Sequence, residues 1–340
     1  MSSNQTLPQK TAGLSATAAK INRFLDRLMP IIAPLGVALG LLLSFFFIKF
    51  RPFIPWIFGT ITLSGALKLK ARELVLTVKN PLPIVFFFVI AHFFMPLVVL
   101  FLSRIIFGND ADTISGYVLL YSVPTAVSGF IWVTIYRGDS ALTLALILLD
   151  TILAPVVVPG TVRLFLGTQV TMDMSGMAIS LIFMVVIPTI IGVALNEISR
   201  GAVPKVIGPY MGPLSKVCLI VVIAANSAAV ASQINPQNKR LWIIGAVCIG
   251  FVVLGFSCAK LMGILARRLG ILGRSSKGKE VSLFFASGLR NTSAAMTLGI
   301  DFFPGPAALP AVLGIVFQQT ICALMAKLCM EKISSEDEKS

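Results

Sequence analysis

Ten stretches of predominantly apolar residues follow one another along the chain, and each approaches the ~20 residues that a helix needs to cross a bilayer. They lie near 29–48, 52–68, 82–106, 114–136 and 140–168, then near 176–196, 207–234, 241–266, 281–301 and 307–330. A chain of 340 residues with 56% apolar and only 12% charged residues falls outside soluble composition. The pattern therefore predicts an all-α integral membrane protein with ten transmembrane helices. The polar stretch from Thr171 to Ser175 divides them five and five. The expected organisation is an N-terminal tail over 1–28, a five-helix repeat over 29–168, a second over 176–330 and a C-terminal tail over 331–340. The first 28 residues are polar and lack the apolar core and small-residue cleavage site of a secretory signal, so a retained tail is expected, with an amphipathic helix near Ala18 to Leu28.

An even number of spans places both termini on one side, and basic residues say which. With the termini inside, 20 Lys and Arg fall on inner segments and six on outer ones, with Lys260 and Arg290 within spans. Both termini are thus expected in the cytoplasm of a cell membrane. The formal net charge of +14 would raise nucleic-acid binding in a soluble protein. Here the basic residues occupy short breaks between apolar runs, so the expected partner is the lipid bilayer and not nucleic acid.

Five spans repeated with an odd count per half present the second half upside down, an arrangement that often breaks one helix at the matching place in each half. Span four carries Ser122-Val-Pro-Thr-Ala-Val-Ser-Gly129, where Pro124 removes a backbone donor and Gly129 loosens the helix. Span nine carries Ala286-Ser-Gly-Leu-Arg-Asn-Thr-Ser293. Unwound backbone at membrane depth requires protein or a water-filled cavity to satisfy it, so two matched breaks predict one internal site.

The stretches Pro124 to Gly129, Tyr136-Arg-Gly-Asp-Ser-Ala-Leu-Thr143 and Leu153-Ala-Pro-Val-Val-Val-Pro159 resemble the fourth and fifth helices of the bile acid:sodium symporter family. Ser287-Gly-Leu-Arg-Asn-Thr-Ser293, followed by Ala308-Leu-Pro310, is similar to that family's second crossing helix. The resemblance covers about residues 29–330. It implies a core domain from spans three to five and eight to ten, a panel domain from spans one, two, six and seven, and crossing helices four and nine. It also implies alternating access to a small organic anion, an amphipathic or small carboxylate, with no organic cofactor.

The family's sodium positions carry over poorly. Aligned on Gly288-Leu-Arg-Asn291, the family's glutamate position holds Ala286, its glutamine position holds Arg290, and Asn291 is retained. Thr143 keeps a hydroxyl, the next hydroxyl position reads Ile147, and the Ser-Asn pair reads Gly129-Phe130 with Ser128 one place early. A register using Glu280 as the glutamate would leave Gly288-Leu-Arg-Asn291 unmatched. A fixed cation beside oxygen ligands repels a bound one, so at least one sodium site is expected to be lost, with Arg290 standing in for the ion. Sodium and proton both remain open as coupling ions.

Ionisable residues within spans are costly and mark function. Asp150 lies mid-way along span five and Arg290 along span nine; paired, they would offset each other's desolvation. Arg290 is the expected carboxylate partner, with Thr125, Ser128, Thr143, Asn291, Thr292 and Ser293 supplying hydrogen bonds. His92 is a candidate proton relay, although a lone histidine in an apolar run also suits a bond to backbone. Lys260 is expected to snorkel to the inner face, and Glu280 and Asp301 to lie at the interfaces. Trp56 and Trp242 suit interface belts, whereas Trp132 sits on the crossing helix. Five dispersed cysteines without a CxxC pair indicate neither a disulfide frame nor a zinc site.

An enzyme would leave other marks. His92 is followed by Phe93, so no His-Glu-x-x-His exists, and neither Asp139 nor Asp150 stands in a Gly-x-Gly-Asp setting. A channel or a receptor on the same fold is separated from a carrier by flux: counterflow marks a carrier, saturable binding without flux a receptor.

Overall fold

The computed structural model describes residues 17, 18, 20–22, 24, 25, 28–71, 79, 81–167, 173–273, 276–303 and 305–330. The expected C-terminal tail and nearly all of the N-terminal one lie outside these. Among the described residues the regular elements are helices, joined by a single antiparallel bridge between Thr125 and Arg290. Among the described residues six helices are long and apolar enough to cross a membrane: α3 (Leu82–Phe107), α6 (Ser140–Leu166), α7 (Met174–Ile198), α8 (Ala202–Ala229), α9 (Lys239–Arg268) and α12 (Leu309–Cys329). Before them come α1 (Met29–Leu42) and α2 (Ile54–Ala66). The path from Ile31–Leu42 into Ser44–Ala66 bends by 94°. The window 29–48 is therefore interrupted at Leu43 (φ −115°, ψ 40°), beyond which the short helix Ser44–Phe47 runs in the new direction. Pro52, in a 3₁₀ stretch Ile48–Phe53, has no amide to offer the carbonyl of Ile48, which keeps the link from continuing as an α-helix.

Four shorter helices form two broken pairs: α4 (Ala111–Ser122) with α5 (Gly129–Ile135), and α10 (Ser276–Gly288) with α11 (Thr292–Phe302). At about 1.5 Å per residue the longest of these reaches roughly 20 Å, short of a hydrocarbon core of about 30 Å, so each pair has to act as a unit.

Packing groups the helices. α8 lies along α1 and α2, and the C-terminal half of α7 lies along α2. α3, α4 and α6 pack together, α9 lies between α10 and α12, and α10 touches both α5 and α6. Small residues allow the closest approaches, since lipid supplies little drive to press helices together. A Cβ on Gly40 of α1 would sit 2.2 Å from the carbonyl oxygen of Ala224 in α8.

The burial pattern is that of a protein in an apolar solvent. Trp56, Phe101, Val156 and Leu261 face outward, while Asp150 is 0% and Arg290 1% exposed. Where the two broken pairs meet, the polar Thr125, Asp150, Arg290 and Gln318 are buried beside the apolar Leu289.

Candidate functional site

The first break opens because Val123, preceding Pro124, is driven into an extended conformation (φ −64°, ψ 156°) that ends α4. The second opens at Gly288, where a Cβ would come within 2.3 Å of the Phe256 ring, and α11 restarts at Asn291, whose side chain accepts the Ala294 amide at 3.2 Å. The unwound backbones then satisfy one another. The Ala126 amide donates to the Leu289 carbonyl (3.0 Å) and the Asn291 amide to that of Pro124 (2.9 Å). The Thr125 hydroxyl lies 2.7 Å from the Ala286 carbonyl and 3.1 Å from that of Leu289.

Two buried charges flank this bridge, and each is held by groups other than its opposite. One oxygen of Asp150 accepts the Thr125 amide at 2.7 Å, and the other lies 2.7 Å from Nε2 of His92. Arg290 directs its guanidinium to the carbonyls of Val123 (3.3 Å) and Ala91. Its own amide and carbonyl are clamped by Gln318 at 3.3 and 2.8 Å. No ion pair joins Asp150 to Arg290 among the described residues; His92, one residue beyond Ala91, stands in the chain of contacts between them. His92 sits in a π-helical turn, Val89–Phe94, just before Pro96. Pro96 withholds the amide that would bond the His92 carbonyl, and the Thr161 hydroxyl approaches that carbonyl at 3.4 Å.

The remaining candidates divide. Thr292 and Ser293 occupy the first turn of α11, where the helix dipole favours an anion. The Ser128 hydroxyl accepts from Gln319 at 3.2 Å, and Trp132, stacked on Phe285, also reaches Gln319. The Thr143 hydroxyl donates to the Asp139 carbonyl at 2.9 Å, one turn back on α6 and away from the bridge. Asn226 and Ser227 of α8 were not singled out by sequence, although two consecutive polar residues inside the 207–234 window were the signal. Asn226 donates to the Thr297 hydroxyl of α11 at 2.8 Å. Its Oδ1, the Ser227 and Ser287 hydroxyls and Nε of Arg290 are buried without a hydrogen-bond partner. Gln318 and Gln319, inside the 307–330 window, were likewise passed over.

Toward the ends of the helices, Lys260 pairs with Glu280 at 2.9 Å, which Arg267 also approaches at 3.4 Å. Glu280, expected at an interface, is buried. Arg51 pairs with Asp301, and Arg240 with Asp110.

A family model described as the sodium bile acid symporter family matches residues 55–236. The chain belongs to that family. It is 38% identical over 297 residues to the uncharacterized protein YbaS of Bacillus subtilis, covering 87% of this chain and 94% of that one. It is 27% identical to the probable chloroplastic sodium/metabolite cotransporter BASS3 of Oryza sativa subsp. japonica, over 89% of this chain and 70% of the relative. It is 24% identical to the uncharacterized sodium-dependent transporter YocS of Bacillus subtilis, over 94% and 96%.

Several of the carbonyl oxygens at the crossing are already occupied. The carbonyls of Val123 and Ala91, oxygens that a cation would seek, already receive the Arg290 guanidinium, and the Ala286 carbonyl receives Thr125. Two like unit charges about 4 Å apart repel by about 4 kcal/mol at an effective dielectric constant near 20. The crossing thus gathers a buried guanidinium with a spare Nε donor, a helix N-terminus, uncommitted Ser227 and Ser287 hydroxyls and an uncommitted acceptor, Oδ1 of Asn226.

Proposed function

We propose that the protein is a secondary transporter of a small organic anion, a carboxylate, working by alternating access with weak dependence on sodium. The observation that carries this reading is Arg290, a buried cation at the meeting point of two broken helices in a transporter family. In this reading the chain crosses a cell membrane ten times as two inverted five-helix repeats, 29–168 and 176–330, with both termini cytoplasmic. α4–α5 and α10–α11 are then its crossing helices. The packing of α8 and the second half of α7 on α1 and α2 supports a panel that moves against a core of α3–α6 and α9–α12. The carboxylate lies between them, against Arg290, the first turn of α11 and the uncommitted Ser227 hydroxyl.

The names of the family and of two relatives favour a second reading, sodium-coupled symport with a different ligand set. A thermal-shift screen of carboxylates with and without sodium separates the two, because a ligand of the folded state raises its melting temperature. A carboxylate should stabilise the protein equally in sodium and in a sodium-free buffer, and should show counterflow in liposomes. Stabilisation only in sodium would return the protein to ordinary sodium symport, and binding without counterflow would make it a receptor.

A further inference from the structure

We propose that His92 and Asp150 form a proton-binding site at the crossing, holding one exchangeable proton. The two side chains are buried and 2.7 Å apart, and the second carboxylate oxygen is fixed by the Thr125 amide at 2.7 Å. With Asp150 ionised, Nε2 of His92 carries the hydrogen of that contact and Nδ1 presents a bare lone pair, an assignment made from the hydrogen-bond pattern. Nδ1 is buried and has no hydrogen-bond partner among the described residues. It is therefore the open position for a proton from hydronium: an Nδ1–H bond forms as an O–H bond of hydronium breaks and leaves water, and the imidazole becomes imidazolium. Phe88 stacks on the ring at 5.4 Å and Phe87 meets it edge-on at 6.3 Å, walls that supply no oxygen ligands for a metal.

The surrounding charges fit a site that changes by one unit. From α6 the group faced is Asp150. Tyr121 of α4 lies near Arg290 and near Cys248 and Cys258 of α9. From the break after α10 the group faced is Arg290, bonded to the carbonyl of Ala91 beside His92. With a neutral imidazole, Asp150 and Arg290 cancel; the added proton leaves one positive charge, matched to a monovalent carboxylate. Any part of this proton in coupling rests on the carrier reading above, whereas the site itself does not.

His92 is the only histidine in the chain, so ¹⁵N-histidine labelling of protein carrying a tag without histidine reports this residue alone. In nanodiscs, between about pH 5 and 9, the Nδ1 resonance should move reversibly from the bare to the protonated position. The midpoint should be the same in sodium chloride and in N-methylglucamine chloride. Asp150→Asn should weaken proton binding by about tenfold or more, whereas Asp150→Glu should retain it. A ring that does not titrate over that range, a midpoint displaced by sodium, or an Asp150→Asn titration equal to wild type would each overturn the site. If Asp150→Asn does not fold, the wild-type titration and its sodium arm still decide. A titrating ring in a protein without counterflow keeps this site and overturns the carrier; counterflow with a silent ring does the reverse.

Discussion

The two breaks meet as partners in one bridge, yet they are opened by different means and supply different chemistry. The first, at Val123 to Ser128, is opened by a proline and brings no charge; its contribution is the Thr125 amide on Asp150 and a hydroxyl on two carbonyls. The second, at Leu289 to Asn291, is opened where Gly288 presses against Phe256, is closed by an asparagine cap, and carries Arg290. The first break thus positions the acid while the second supplies the cation. The difference in sequence between the two breaks puts the cation on one side of the bridge and the hold on the acid on the other.

The strongest test of this asymmetry is bulk at the second break. Gly288→Leu should abolish transport while membrane insertion persists, because even a Cβ would stand 2.3 Å from the Phe256 ring. Normal uptake at equal expression would mean that the second break is not part of the site. Next in size is removal of the cation. Arg290→Gln should cripple transport and destabilise the detergent-solubilised protein by about 3 kcal/mol, since it forfeits charged hydrogen bonds to two buried carbonyls. Because Asp150 keeps its own bonds to His92 and Thr125, adding Asp150→Asn should leave activity lost; recovery in the double variant would show that charge balance alone matters.

At the first break the effects should be milder. Thr125→Val retains the amide that holds Asp150 but deletes the hydroxyl donor to Ala286 and Leu289, an expected loss of about 1–2 kcal/mol in thermal unfolding with transport reduced and not abolished. A complete loss of uptake would place the Thr125 hydroxyl on the substrate. The smallest effect should come from Asn291→Ala, which removes one cap bond, about 1 kcal/mol. A larger loss of carboxylate stabilisation than of intrinsic stability would show that Asn291 also touches the anion.

Much of the architecture was legible along the chain because lipid imposes a one-dimensional rule: length and apolarity mark a span, and polar residues or Pro and Gly inside it mark a break. Pro124 and Gly288 were readable in that way, as was the ionisable character of Asp150, Arg290 and His92. The bend after Leu42 was not, since the apolar run continues through Phe45 to Phe47 and hydropathy is blind to the non-helical backbone of Leu43. The burial of Glu280 was missed for a related reason: its position near the end of a span says nothing of Lys260 and Arg267 closing over it.

Which polar groups meet is another kind of fact. The sequence alone determined that charges of both signs lie at bilayer depth, and the cost of burying them demanded partners. It did not determine that Asp150 would take His92, 58 positions away, or that Arg290 would settle on backbone carbonyls across the crossing. Those pairings depend on the register between α3, α6 and the two breaks, set by small-residue contacts such as Gly288 on Phe256 and by the bridge between Thr125 and Arg290. Hydropathy sums over single residues and carries the first kind of information; hydrogen bonds need two groups within about 3 Å in the right direction, and only the packed tertiary structure brings them there.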